Sequence, residues 1–248
     1  MTHPTDQLRI CSYNIHKGFS SGNRRFLLDD IRDAIRAIDA DFVFLQEVMG
    51  QNLHRPGHND GNQFEFLADT IWPHHAYGHN AVYDTGHHGN AMLSKHSFLL
   101  FENHDVSLWS FSQRGILVGQ VSIGVYLVCV HFGLFAIERK SQLDALTAIV
   151  SKFVPDDQPL IIAGDFNDWN GKLNRQVIER LGVQEALSCV YGSPARTFPA
   201  QLPVLPVDRI YFRNLELLDA EKLSGRPWNR LSDHCALTAT FRLANSRQ

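Results

Sequence analysis

Leu160-Ile161-Ile162-Ala163-Gly164-Asp165-Phe166-Asn167-Asp168 decides how the chain is read: four apolar residues, a glycine, then a carboxylate and an amide two positions apart. Four consecutive apolar residues with no helical period predict a short buried strand. Asp165 and Asn167 would project from the same side of an extended segment and so address one point. An Asx turn is the competing reading of the same residues.

The pattern repeats outward from that stretch. Asn14 follows the strand-like Leu8 to Tyr13, Glu47 follows Phe42 to Leu45, and His131 follows Tyr126 to Val130. One such residue reads as a solvated strand end. Four of them predict a common sheet rim, because ligands of α/β proteins collect outside strand ends and function sits on loops held by rigid strands. Asp208-Arg209-Ile210 and Ser232-Asp233-His234 precede apolar strands near the C-terminus and offer a metal-binding carboxylate and an Asp/His pair for proton transfer.

Periodicity supplies the frame. Leu27, Leu28, Ile31, Ala34, Ile35 and Ile38 recur at helical spacing, Ala136 to Phe153 reads as a second long helix closed by Pro155, and Leu173 to Leu181 as a third. Between Arg114 and Glu138 the only titratable side chains are Tyr126, Cys129 and His131, and the stretch is long enough to cross a bilayer. Its valine and isoleucine content and the break at Gly124 favour two buried strands joined by a tight turn. Gln51 to His88 reads as surface loops around a short helix near Gln63 to Ile71. His74, His75, His79, His87 and His88 within it read as a solvated loop flanking a pocket, since no cysteine accompanies them and their spacing matches no metal-ligand pattern. These elements predict a single layered α/β domain over residues 1–248, with its core from about Leu8 to Phe241.

Composition narrows the function. Hydrophobic residues make up 44% and charged residues 20% of 248, which excludes disorder and coiled coil. The 23 basic residues against 26 acidic ones leave a net charge of −3, so the overall charge gives no strong attraction to nucleic acid or anionic lipid. The basic clusters nearest to such a role are Arg24-Arg25 and Arg139-Lys140. Cys11, Cys129, Cys189 and Cys235 are far apart, and the polar opening Met1 to Gln7 has no signal-peptide pattern; both features predict free thiols in the cytoplasm.

In chain order, Tyr13-Asn14-Ile15, Leu45-Gln46-Glu47, Gly164-Asp165-Phe166-Asn167, Asp208-Arg209-Ile210 and Ser232-Asp233-His234 resemble the motif set of the endonuclease/exonuclease/phosphatase superfamily of metal-dependent phosphoesterases, the DNase I-like group. The resemblance implies a four-layer α/β sandwich with two central mixed β-sheets flanked by helices. It implies Glu47 as the principal ligand of Mg²⁺ or Mn²⁺, with Asn14 and Asp233 beside it. Asp165 resembles the carboxylate that orients the attacking water and Asn167 the amide that holds a phosphate oxygen. Asp208 and His234 resemble an Asp/His dyad, and His131 a second histidine of the DNase I-like branch. Asn90, in Gly89-Asn90-Ala91, resembles a segment bordering the site and is, like Asn167, expected to contact substrate.

Arg114 joins these as a substrate-binding candidate, because a guanidinium fork matches phosphate oxygens. The expected activity is hydrolysis of phosphodiesters or phosphomonoesters of small molecules or lipid head groups. A DNA or RNA nuclease of the same fold is the alternative, with nucleic acid not favoured by the charge, and a noncatalytic binding protein is the alternative of another class. The sequence assigns no oligomeric state.

Overall fold

The structure, a computed structural model, describes residues 7–52, 62–68, 71–83 and 86–243. In chain order, strand β1 (Gln7–Asn14) leads to helix α1 (Leu28–Ile38), β2 (Phe42–Asn52), α2 (Gln63–Ala68) and the antiparallel pair β3 (His74–Tyr83) and β4 (Gly86–Ser94). Then follow β5 (Phe98–Asp105), β6 (Gly115–Val121), β7 (Tyr126–His131), the long helix α3 (Ala136–Phe153) and β8 (Leu160–Asp165). Helix α4 (Lys172–Leu181), β9 (Gln184–Glu185), α5 (Ala186–Tyr191), β10 (Asp208–Arg213), β11 (Leu215–Leu223), α6 (Trp228–Leu231) and β12 (Ala236–Leu243) complete it.

The strands form two six-stranded mixed sheets, ordered β11-β12-β1-β2-β4-β3 and β5-β6-β7-β8-β10-β9. Alternation along the central strands explains the layering. Ile10, Phe42, Phe44, Leu127, Cys129, Ile161 and Ala163 fill the space between the sheets. Their neighbours Cys11, Val43 and Leu45 face α1 and α2, whose Ile31, Ile35 and Leu67 cover the first sheet. Val128, Val130 and Ile162 face α3 and α4, with Leu143, Leu146 and Val177 opposite. The result is helices, sheet, sheet, helices.

Several sequence expectations hold: α1, α3 and α4 lie within a residue or two of the predicted spans. The uncharged stretch is the β6–β7 hairpin turning at Gly124, and among the described residues no helix is long and apolar enough to cross a membrane. The loop reading of Gln51 to His88 does not hold. β3 and β4 occupy much of it, and His74, His75, His79, His87 and His88 lie on these two strands. His79 and His87 stack with ring centroids 4.0 Å apart, and the Tyr77 hydroxyl lies 3.0 Å from His87 Nδ1. Cross-strand pairing with aromatic neighbours stabilises residues whose composition alone suggests loop. Residues 53–61 lie outside the described residues. β11 was also not foreseen; it is an edge strand carrying Glu216, Asp219 and Glu221, so it lacks an apolar run.

Gly164 sets how closely β7 and β8 meet. Its φ is +148°, and a Cβ there would sit 2.0 Å from the Val130 carbonyl oxygen. Gly164→Ala is therefore expected to cost about 2–4 kcal/mol, whereas Gly124→Ala, with φ +81° and open space around it, should cost only about 1–2 kcal/mol of backbone strain. Urea unfolding midpoints of the two variants check this; equal losses would show that the β7–β8 contact is not limiting.

Candidate active site

Strand direction assembles the site. β1 and β2 run parallel in one sheet and β7 and β8 run parallel in the other, so the C-terminal ends of β1, β7 and β8 bring Asn14, His131 and Asp165 to one edge of the sandwich, where Glu47 joins them from the middle of β2, one residue past the end of its pairing with β1. β10 runs antiparallel to β8, so its first residue, Asp208, lies in register opposite Asp165, which is in turn paired with His131. β12 runs antiparallel to β1 and delivers Asp233 and His234 just ahead of its start.

Asp165 is the hub. Its Oδ1 accepts the Asn167 backbone N–H at 2.9 Å. Its Oδ2 meets Asn14 Nδ2 at 3.3 Å, His131 Nε2 at 3.6 Å and His234 Nε2 at 3.9 Å. Asn14 Nδ2 also reaches Glu47 Oε1 at 3.4 Å, so one amide links carboxylates of both sheets. The backbone turns after Asp165: Asn167 has φ +49° and its amide donates to the Phe132 carbonyl at 2.8 Å. The Asx-turn reading is therefore the local geometry, and it still leaves both side chains at the rim. Asp168 instead caps α4, accepting the Leu173 and Asn174 N–H groups at 3.0 Å each.

Asp208 and His234 form the expected dyad, with His234 Nδ1 2.9 Å from Asp208 Oδ2. Burial opposes charge on the imidazole, but the charge and hydrogen bond of Asp208, with the charges of Asp165 and Asp233, together outweigh it and the His234 pKa rises to about 10. His234 is then an imidazolium at neutral pH, its Nε2–H aimed toward Asp165. Burial, reinforced by Asp208, raises the Asp165 carboxyl above its usual range, against the pull of His234. His131 goes the other way: burial, aided by the charge of Arg114, holds it well below the usual histidine range and keeps it neutral.

Glu47 sits in an irregularity of β2 between Leu45 and Val48 with φ +57°, a strained conformation of the kind that persists at functional sites. Lys17 Nζ lies 3.9 Å from its Oε2. Asp233 pairs with His16 Nδ1 at 2.9 Å, and that hydrogen bond, with the charge of His234, overcomes burial and lowers its pKa. His88 also belongs here: burial and then Lys17 hold it down at about 4, against Glu47. Sequence reading missed His16 and Lys17, although they directly follow the Tyr13-Asn14-Ile15 stretch, and assigned His88 to a loop flanking the pocket with no role in it.

Arg114 is half-buried at the rim, its Nε donating to the Phe132 carbonyl at 3.2 Å and its Nη1 to that of Gln113 at 3.0 Å. Asn90 stands differently from its expected role of contacting substrate. It is fully buried, and its amide donates to the carbonyls of Gly115 at 2.9 Å and Cys129 at 3.3 Å, so it braces one sheet against the other. Among the described residues, one group of three ligand-bearing side chains has its atoms within 4.8 Å: Asp165, Asp208 and His234, without Glu47 or Asp233.

Breaking the dyad should be visible without turnover. In EDTA, Asp208→Asn removes the main force raising His234, so its ring should titrate far below 10 by NMR. A raised histidine stabilises the fold below its unfolded pKa of about 6.5 and loses that contribution as pH rises through the folded value. The variant should therefore lose stability at pH 6 and little at pH 11; an unchanged ring titration would rule out the pairing.

The profile of the Endonuclease/Exonuclease/phosphatase family matches residues 11–234. The uncharacterized protein YbhP of Escherichia coli K12 is 43% identical over 244 residues, covering 95% of this chain and 96% of that protein. The crystal structure of an endonuclease/exonuclease/phosphatase from Beutenbergia cavernae is similar with TM-score 0.82 at 19% identity, over 96% of this chain and 72% of that one. The structure of ANGEL2, a 2′,3′-cyclic phosphatase, is similar with TM-score 0.74 at 19% identity, over 96% and 95% of the two chains. At such identities these structures share the fold.

Proposed function

The chain belongs to the endonuclease/exonuclease/phosphatase family, and from that premise we propose that it is a divalent-metal-dependent hydrolase of compact phosphodiesters or phosphomonoesters. The observation that carries the reading is the convergence of Asn14, His131 and His234 on one oxygen of Asp165, with His234 held by Asp208. A fully buried set of this kind is costly to fold and shifts proton affinities in the directions that acid–base work requires.

The donor chemistry fits Mg²⁺ or Mn²⁺. Glu47 and Asp233 offer two carboxylates and Asn14 a carboxamide whose Oδ1 also accepts the His16 N–H at 3.1 Å; oxygen ligands are what hard ions prefer, and Glu47 meets only two long contacts among the described residues. These three residues would hold the ion, which when bound neutralises charge on the phosphoryl oxygens and favours hydroxide over water. Asp165, with its raised proton affinity, orients the attacking water and accepts its proton. The His234 imidazolium, fixed through Nδ1 by Asp208, donates from Nε2 to a phosphoryl or leaving oxygen. Neutral His131 flanks the water. Asn167 has a second amide hydrogen for a phosphoryl oxygen, and Arg114, whose Nε and Nη1 bind the Phe132 and Gln113 carbonyls, has a further guanidinium nitrogen to offer one. Three buried free cysteines suit a cytoplasmic enzyme.

The test is hydrolysis of bis-p-nitrophenyl phosphate, p-nitrophenyl phosphate and plasmid DNA with Mg²⁺, Mn²⁺ or EDTA. Turnover of a small ester that EDTA abolishes is expected; no turnover of any, or preference for DNA by orders of magnitude, would overturn the reading. Glu47→Ala and Asp233→Ala should each abolish metal-dependent turnover while thermal unfolding in EDTA barely changes. Wild-type turnover in either would remove that residue from the metal site. His234→Ala should lose roughly 10²- to 10⁴-fold in kcat and Asp208→Asn less; a His234→Ala enzyme within a few-fold of wild type would take the dyad out of the chemistry.

A further inference from the structure

Beside the Asp233 side of the site lies a cavity of about 800 Å³. Four arginines from two distant parts of the chain line it: Arg24 and Arg25 ahead of α1, and Arg226 and Arg230 around α6. All four are exposed, and among the described residues none of their guanidinium groups has a hydrogen-bond or ion-pair partner. Two carboxylates face them, and one of these, Asp33, is already held by Arg32 at 3.1 Å. Four like charges lining one concavity repel one another and raise the local concentration of anions there. In a chain of net charge −3, the surplus is local.

We propose that this groove is a second anion subsite, which holds a remote phosphate of a compact substrate carrying at least two phosphate groups. The proposal rests on the phosphoesterase reading of the adjoining centre. Each wall is tied to that centre. Arg230 is three residues ahead of Asp233, a span of at most about 11 Å even when extended. Gln201 follows Ala200, whose N–H donates to the Asp233 carbonyl at 2.7 Å. The Arg24-Arg25 loop starts just after Lys17 and is fixed: Ser20 N–H donates to the Arg25 carbonyl at 2.9 Å, Arg25 N–H to Ser20 Oγ at 3.1 Å, and Phe19 packs on Phe26 with centroids 5.2 Å apart.

The shape favours a small ligand. Leu27, Ala34 and Leu231 add apolar lining beside the four arginines. The volume falls in the range of small-molecule sites, and four forks converging on one cavity match the several oxygens of a phosphate. A polynucleotide would instead require a basic stripe along its backbone.

Calorimetry in EDTA with adenosine 3′,5′-bisphosphate and with AMP tests binding apart from catalysis. The bisphosphate should bind at least tenfold more tightly, and the combined Arg24→Gln, Arg25→Gln, Arg226→Gln, Arg230→Gln protein should lose that advantage with unchanged thermal unfolding. Asp30→Asn with Asp33→Asn should strengthen bisphosphate binding several-fold. With Mn²⁺, the fourfold variant should keep the wild-type kcat/KM on bis-p-nitrophenyl phosphate. It should raise KM at least tenfold on the p-nitrophenyl ester of thymidine 5′-phosphate bearing a 3′-phosphate, with kcat retained. Equal binding of the two adenosine phosphates, or equal loss on both esters, would overturn the subsite. Arginine-dependent binding of a DNA duplex without discrimination between bisphosphate and AMP would overturn the compact ligand. A protein that discriminates as expected but cleaves neither ester would keep the anion site and overturn the phosphoesterase reading.

Discussion

The bridge that Asn14 makes between Glu47, on its own sheet, and Asp165, on the other, is the contact on which the rest of the site depends. Both hydrogen bonds are long, so their significance is positional more than energetic. They fix how the C-terminal edge of the β1–β2 pair lies against that of β7–β8, and everything that addresses Asp165 inherits that placement. The buried braces behind it act in the same sense. Asn90 crosses between the sheets to Gly115 and Cys129, and Gln46 Nε2 lies 3.3 Å from Cys129 Sγ.

Charge is the second constraint. Asp165 and Asp208 are almost wholly buried, and burial of carboxylates is strongly unfavourable without partners. The chain answers with a ring of partners: the His234 imidazolium on Asp208, the His16 ring on Asp233, Lys17 near Glu47, and Arg114 behind His131. Neutral His131 and the proton affinity of Asp165 follow from the same balance, so altering one member shifts its neighbours.

Much of this was legible in the sequence because both signals are local. An apolar run ending in Asn14, Glu47, His131 or Asp165 is contiguous, and the stripes of α1 and α3 repeat every three to four residues. What stayed hidden depends on distant partners. β3 and β4 have the composition of loops, and it is strand pairing and ring contacts that make them a sheet edge. Asn90 could be seen to border the site, but its role as a brace depends on carbonyls 25 and 39 residues away. Arg24-Arg25 is an ordinary basic doublet until Arg226 and Arg230 arrive at the same cavity.

The order of strands has a consequence for how the protein is made. The segment from β5 to β10 builds the second sheet alone, whereas the first sheet joins β1–β4 to β11 and β12, with Leu8 paired to Phe241 where the two ends of the chain meet. Closing contacts so distant along the chain is slow. His234 and Asp233 precede the last of these strands, so a ribosome-bound chain can complete the second sheet while the first still lacks β12, the strand that joins β11 to β1. The rim where Asn14, Asp165, Asp208 and His234 meet is then complete only with the final strand, and the Asp208–His234 pairing should reappear on refolding with the slowest structural phase and not the first collapse.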